Sequence, residues 1–412
     1  GTGNLALGNY ALDALTSGDY NVGIGLNALS ANTTGNNNVG VGQAALLTNS
    51  TASDNTAVGH YALLLNTTGD KNVAVGALAL DANTTGSDSV AMGYGALGTN
   101  TTGGLNVAVG KNALTTNNAD ANVAVGFEAL KDNTTGAGNT AVGKFALTNN
   151  TTAAKNTAIG KDAMFTNTTG AENVSIGNDS LVYNTTGSNN VAIGVEAMDA
   201  NTTGASNVGI GKSALGSNTT GTRNIAVGAY AYDASDTEND NLAIGYDAMT
   251  TNTAGGTLNV AIGNYTLDAL TSGDGNVGVG YQVLSALTTG GTNTAIGYQA
   301  MMESTTGDGN TAVGNHALEN NSTGGSNVAV GRYALESNTT ADDNVAVGYR
   351  AAYENTTGTR NVAVGTQALD AVTTANSNTA IGHKALLLNV TSADNTAVGN
   401  QCLDAAVSGS NT

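Results

Sequence analysis

The chain has 412 residues, with 12 Lys and Arg against 31 Asp and Glu, a net charge of -19. That balance repels phosphate backbones, so nucleic acid is not an expected partner, and no run of about 18 apolar residues offers a membrane span. One Cys, three His and no Pro or Trp leave no internal disulfide and no zinc-ligand spacing.

From Asn4 onwards, a string of Asn, an apolar residue or Thr, a small residue, an apolar residue and Gly returns 24 times, almost always after 17 residues. The copies open at Asn4, Asn21, Asn38, Asn55 and Asn72, pass through Ser89, and continue from Asn106 and Asn122 to Asn395. Two spacings break step, 16 between Asn106 and Asn122 and 18 between Asn241 and Asn259. A fixed period this short implies a solenoid in which each unit touches mainly its neighbours. Residues 1–412 therefore read as a single repeat domain of 24 coils, expected to begin inside a repeat and to stop inside one.

With the opening Asn as slot 1, the consensus is N-V-A-V-G-x-x-A-L-x-x-N-T-T-G-x-x. Slots 2 to 4 predict a short strand: slots 2 and 4 carry Val, Ile, Leu, Met or Thr on one face, and slot 3 carries only Ala, Gly or Ser on the other. An apolar face opposite a uniformly small one predicts cover on both sides, slot 3 lying against the opposite wall of the coil or a neighbouring chain. The Gly of slot 5 marks a turn.

Slots 6 to 12, as in Lys111 to Asn117, are rich in Ala, Leu and charged residues. Their apolar spacing predicts one short helical turn, with a second short strand as the competing reading. Asn-Thr-Thr-Gly then forms the corner that returns the chain. Slot 12 also holds Leu15, Leu270, Leu287 and Val372, which places it inward. Its 15 glycosylation-type sequons are accordingly read as structure: Asn21, Asn38, Asn55 and Asn72 in slot 1, and Asn32, Asn66 and Asn83 in slot 12, are expected to form amide ladders between stacked coils.

Ordering one coil costs roughly 1–2 kcal/mol per residue, more than a few apolar side chains return, so the units must stack. At about 4.8 Å per coil the stack would be a rod roughly 115 Å long.

The variable slots 6 and 7 carry Tyr94, Tyr246, Tyr281, Tyr298 and Tyr349 together with Lys111, Lys144, Lys161 and Arg332. Stacking would align them into one stripe of aromatic and basic groups, a candidate surface for sugar rings or polyanionic glycans, or a shield for the turn beneath. Asp233 to Asp240 replaces one corner with four carboxylates, suggesting a calcium site or a solvated acidic bulge. No nucleophile, base and orienter recur together, so neither catalysis nor a cofactor is expected.

The repeat NTAVGxxALxxNTTGxx, seen at Asn293 to Gly297 with Tyr298, Gln299 and Ala300 after it, resembles the repeat shafts of phage tail-fibre and bacterial surface-fibre proteins that carry an endosialidase-type intramolecular chaperone. Its strand is similar to the heads of trimeric autotransporter adhesins. The resemblance implies a homotrimeric, extracellular β-solenoid or β-roll shaft, on a virion or a cell surface, that serves adhesion or host attachment, and the aromatic and basic stripe is the candidate contact for cell-surface glycans. An ice-binding solenoid, using the Thr rows of slots 13 and 14, and a filament that assembles end to end are the alternatives.

Overall fold

A computed structural model describes residues 1–252 and 254–405. The chain is a parallel β-solenoid in two compact units, Gly1–Ser206 and Asn207–Thr412. The first holds strands β1 (Leu5–Leu7) to β12 (Val191–Ile193), and the second β13 (Val208–Ile210) to β24 (Thr396–Val398). Each strand is three residues long, slots 2 to 4 of one coil. Within each unit successive strands pair in parallel and in register, so that Val39, Gly40 and Val41 lie opposite Thr56, Ala57 and Val58.

The segment after the strand is neither a helix nor a second strand. Its residues form consecutive turns, with left-handed φ at slot 7 and again at slot 9, as in Tyr61 at 60° and Leu63 at 53°. Positive φ at the third residue of a turn is the type II pattern, and two such residues so close together exclude helix and strand alike. The turns nevertheless bond to their neighbours as a sheet does: Tyr61 N donates back to Gln43 O at 3.0 Å, while Leu63 N and Leu65 N donate forward to Ala79 O at 2.9 Å and Asp81 O at 3.0 Å.

The strand and the turn segment are the two walls of a thin core. Slots 1, 3, 8, 9 and 12 point inward, as Asn55, Ala57, Ala62, Leu63 and Asn66 illustrate, each fully buried. The small residue of slot 3 is dictated by the opposite wall: a Cβ at Gly40 would stand 3.2 Å from Leu29 Cγ and 3.2 Å from Ala45 O. Where the wall thickens, the strand thins. Gly278 faces Thr266 and Val283, which occupy the slot usually held by Ala. The other strand face departs from expectation, for slots 2 and 4 stand half-exposed in the single chain.

Both amide ladders form. In slot 1, Asn38 N donates to Asn21 Oδ1 at 3.0 Å and Asn72 N to Asn55 Oδ1 at 2.9 Å. In slot 12, Asn66 Nδ2 donates to Asn49 Oδ1 at 2.8 Å and Asn83 Nδ2 to Asn66 Oδ1 at 2.9 Å, and Asn32 Oδ1 accepts from Asn49 Nδ2 at 3.3 Å. The two rows converge: Gly69 O accepts from Asn55 Nδ2 and from Asn66 Nδ2, both at 2.9 Å. A third row at slot 16 escaped the sequence reading. There a backbone N–H donates to the Asp, Asn or Ser side chain of the next coil, as Asn36 N does to Ser53 Oγ at 3.0 Å and Ser53 N to Asp70 Oδ1 at 2.7 Å.

The irregular coils keep strand register by adjusting only the corner. Asn106 Nδ2 reaches Ala119 O across 13 residues and Asn241 Nδ2 reaches Gly256 O across 15, where the usual step is 14. Val107 still pairs with Val123, and Leu242 with Val260. Of the acidic string Asp233 to Asp240, Asp236 is exposed and Asp233 and Asp240 are partly so, as in a solvated bulge, but one carboxylate leaves the solvent. Glu238 turns inward at 3% exposure, and its carboxylate accepts from Asp236 N at 2.9 Å, Thr237 N at 3.0 Å and Gly255 N at 3.0 Å. Asp240 takes a two-pronged contact from Arg223 at 2.6 and 2.8 Å. In the same coil Ser235 replaces the ladder Asn, and Tyr232 replaces the core Leu; the Tyr232 hydroxyl accepts the amides of Asn241 at 2.6 Å and Asn252 at 3.0 Å. One phenol restores a polar partner that a missing amide would have supplied. Burial drives its pKa up.

Candidate functional site

Two outward surfaces lie on opposite walls of the coil. On the strand wall, slots 2 and 4 give two parallel rows of mostly β-branched residues in each unit. Exposure is 37% at Val58, 44% at Met92 and 39% at Ile159 in the first unit, and 41% at Ile296 and Ile381 in the second. The rows follow directly from in-register stacking, which repeats the same side chain on the same line.

On the turn wall, slots 6, 7 and 10 carry the aromatic and charged groups. In the second unit the rings form a continuous run through eight coils: Tyr230, Tyr246, Tyr265, Tyr281, Tyr298, His316, Tyr333 and Tyr349, with centroids 5.4 to 6.2 Å apart. Most neighbours meet edge to face, whereas Tyr281 and Tyr298 are stacked at 13°. Tyr246, Tyr281, Tyr298 and Tyr349 are thereby brought together as expected, and Tyr94 lies in the first unit, apart from this run.

The basic residues are engaged locally. Lys111 lies 5.9 Å from the centroid of Phe127, Lys144 4.7 Å from that of Phe145, and the Arg332 guanidinium 4.4 Å from that of Tyr333. Lys161 pairs with Asp162. Each cation is held against a ring or a carboxylate, which weakens the stripe as a track for polyanions.

Slot 10 was missed as part of this surface. It places Phe165 6.0 Å from Phe145 and Tyr353 6.3 Å from Tyr333, and it sets Glu319 2.6 Å from His316 Nδ1. The recurrent spacing of three between slots 7 and 10 was the available signal. Several slot 10 carboxylates are set in partly dry positions. Burial raises the pKa of Asp268 to about 6 and, with Glu319 adding repulsion, lifts that of Glu336. At Asp370 burial raises the pKa while Arg350, 3.1 Å away, acts against it. Tyr246 is raised chiefly by the neighbouring Asp247 carboxylate.

In the first unit slots 7 and 10 border an open groove of about 620 Å³, lined by residues from Lys144 to Asp199. The Thr rows are less available than their sequence suggests. Slot 13 hydroxyls donate to the backbone of the next coil, as Thr67 Oγ1 does to Thr84 O at 2.9 Å, leaving the exposed slot 14 hydroxyls as the outward row. Among the described residues no group of three or more His, Cys, Asp or Glu side chains could hold a metal ion. Neither a protein-family model nor a curated protein sequence matches the chain.

Proposed function

We propose that the chain is a non-catalytic shaft segment of an extracellular fibre, on a virion or a cell surface, that assembles as a homotrimer and mediates adhesion or host attachment. The observation that carries this reading is the strand wall, where two half-exposed apolar rows recur coil after coil. Twelve strands in a unit, at about 4.8 Å per strand and about 7 Å between slots 2 and 4, present a continuous strip of roughly 400 Å². A strip of that extent lies within the range of the largest apolar patch on a typical monomer, a patch that is often functional, and its recurrence along a line makes it the surface best suited to a partner, whose contact is favourable by about 25 cal/mol per Å² of apolar area removed from water. Identical in-register rows suit a partner with the same period, which is a second copy of the chain. Three copies rather than two follow from the resemblance to trimeric fibre shafts. Repetition supplies reach, and the amide and backbone ladders supply stiffness.

The test is the native mass of the full chain by sedimentation or light scattering. A particle of three times the 40.5 kDa chain mass is expected, and a monomer at micromolar concentration would sink the reading.

A further inference from the structure

We propose that Tyr281 and Tyr298 form an oxidative modification site, where a haem peroxidase acting with hydrogen peroxide joins the two rings through a carbon–carbon bond and staples adjacent coils. The inference stands apart from the shaft reading, because the pair lies on the turn wall and the apolar rows lie on the strand wall. Both tyrosines occupy slot 6, in the coils opening at Asn276 and Asn293. Their ring centroids are 5.5 Å apart, with planes 13° from parallel. Two hydrogen bonds hold the turns beneath in register: Gln299 N donates to Tyr281 O at 2.9 Å, and Gln299 Nε2 donates to Gln282 Oε1 at 2.9 Å. The side chains themselves are 41% and 46% exposed, so an oxidant reaches them. Exposed side chains change rotamer within nanoseconds, which closes the gap that remains.

Stacking selects this pair. Coupling needs a carbon beside the hydroxyl on each ring to meet its counterpart; near-parallel rings allow that, whereas an edge-to-face pair sets the edge of one ring against the face of the other. The preceding tyrosines of the run meet edge to face, Tyr230 with Tyr246 at 90°, Tyr246 with Tyr265 at 73° and Tyr265 with Tyr281 at 87°. The other stacked pair of the run, His316 with Tyr333 at 22°, has only one phenol. In the coupling, each phenol gives up one electron and its hydroxyl proton. The two radicals pair to form one carbon–carbon bond, and the hydrogen on each joined carbon passes to that ring's oxygen, restoring both phenols. The protein loses two hydrogen atoms, and one peroxide is reduced to two waters.

The experiment treats the full chain, in dilute solution, with hydrogen peroxide and a haem peroxidase. Dityrosine fluorescence is expected while the denatured chain still runs at 40.5 kDa. After cleavage at Leu284 and Leu287, the fragments carrying Tyr281 and Tyr298 should remain joined, two hydrogen atoms lighter than their sum. Tyr298→Phe, which keeps the ring and removes the phenol, should abolish the joined fragments and most of the fluorescence, and Tyr94→Phe in the first unit should change neither. The new bond closes a loop of one coil and restricts the unfolded chain as a short-loop disulfide does, so the oxidised chain should melt several degrees higher. Fluorescence at the parent's level in Tyr298→Phe, links between separate chains only, or a joined pair with an unchanged melting temperature would overturn the proposal.

Discussion

At Gly143 the backbone adopts φ 140°, and a Cβ would stand 2.2 Å from the carbonyl oxygen of Gly160. The slot is Gly in every coil because the next coil's backbone fills the space a side chain would need and the dihedral disfavours one. Gly143→Ala should therefore cost on the order of 3 kcal/mol, read as a fall in denaturant midpoint. The ladder amides respond differently. Asn66 donates to Asn49 Oδ1 and Gly69 O and accepts from Asn83, so Asn66→Ala strands buried polar atoms at a cost of about 1–3 kcal/mol. Asn66→Leu should cost less, since Leu270 and Leu287 already fill this slot fully buried; a milder Ala variant in the same denaturation series would refute the ladder's energetic role. Asp268 has its pKa raised by burial to about 6, with its Oδ1 buried and unbonded. The folded state then holds the proton more tightly than the unfolded chain, so this group's contribution to stability falls as pH rises from about 4 through 6. Asp268→Asn is expected to melt higher than the parent at pH 7.5 and by a clearly smaller margin at pH 4.5, and an equal gap at both would exclude the titration.

The seventeen-residue coil divides into a strand legible from its residues and a turn segment that was not. Alternation exposed slots 2 to 4 at once, and the Leu in slot 12 of some coils disclosed that the Asn there is internal. Slot 9 gave no such cue. Leu63 and its counterparts hold φ near 53°, a conformation costly for bulky side chains, and only packing against the facing strand together with the forward backbone bond explains it. Propensity favours helix for those residues, and tertiary context overrides it. The same gap hid slot 10, whose part in the candidate site depends on turn geometry rather than on composition. The corner is the tolerant part of the coil, because the natural coils of 16 and 18 residues change length there. Deleting Thr85, at a corner, is expected to leave thermal unfolding nearly unchanged, whereas deleting Ala91, inside a strand, reverses the facing of its neighbours and should abolish the cooperative transition.

For the molecule as a whole, each unit's strands pair only with those of adjacent coils, so stability accumulates coil by coil rather than from one central core. The net charge of -19 adds self-repulsion, which salt screens. If copies associate through the strand wall, Val75→Lys with Val109→Lys should yield smaller particles in sedimentation with the coils still folded. Particles of unchanged mass would move the interface elsewhere. The hydrogen bonds of the turn segment carry a further consequence for the time axis. Tyr61, Leu63 and Leu65 lie in no helix or strand, yet each backbone N–H is held by a neighbouring coil. Circular dichroism would therefore register a chain poor in regular structure, while deuterium would enter its amides as slowly as those of a sheet.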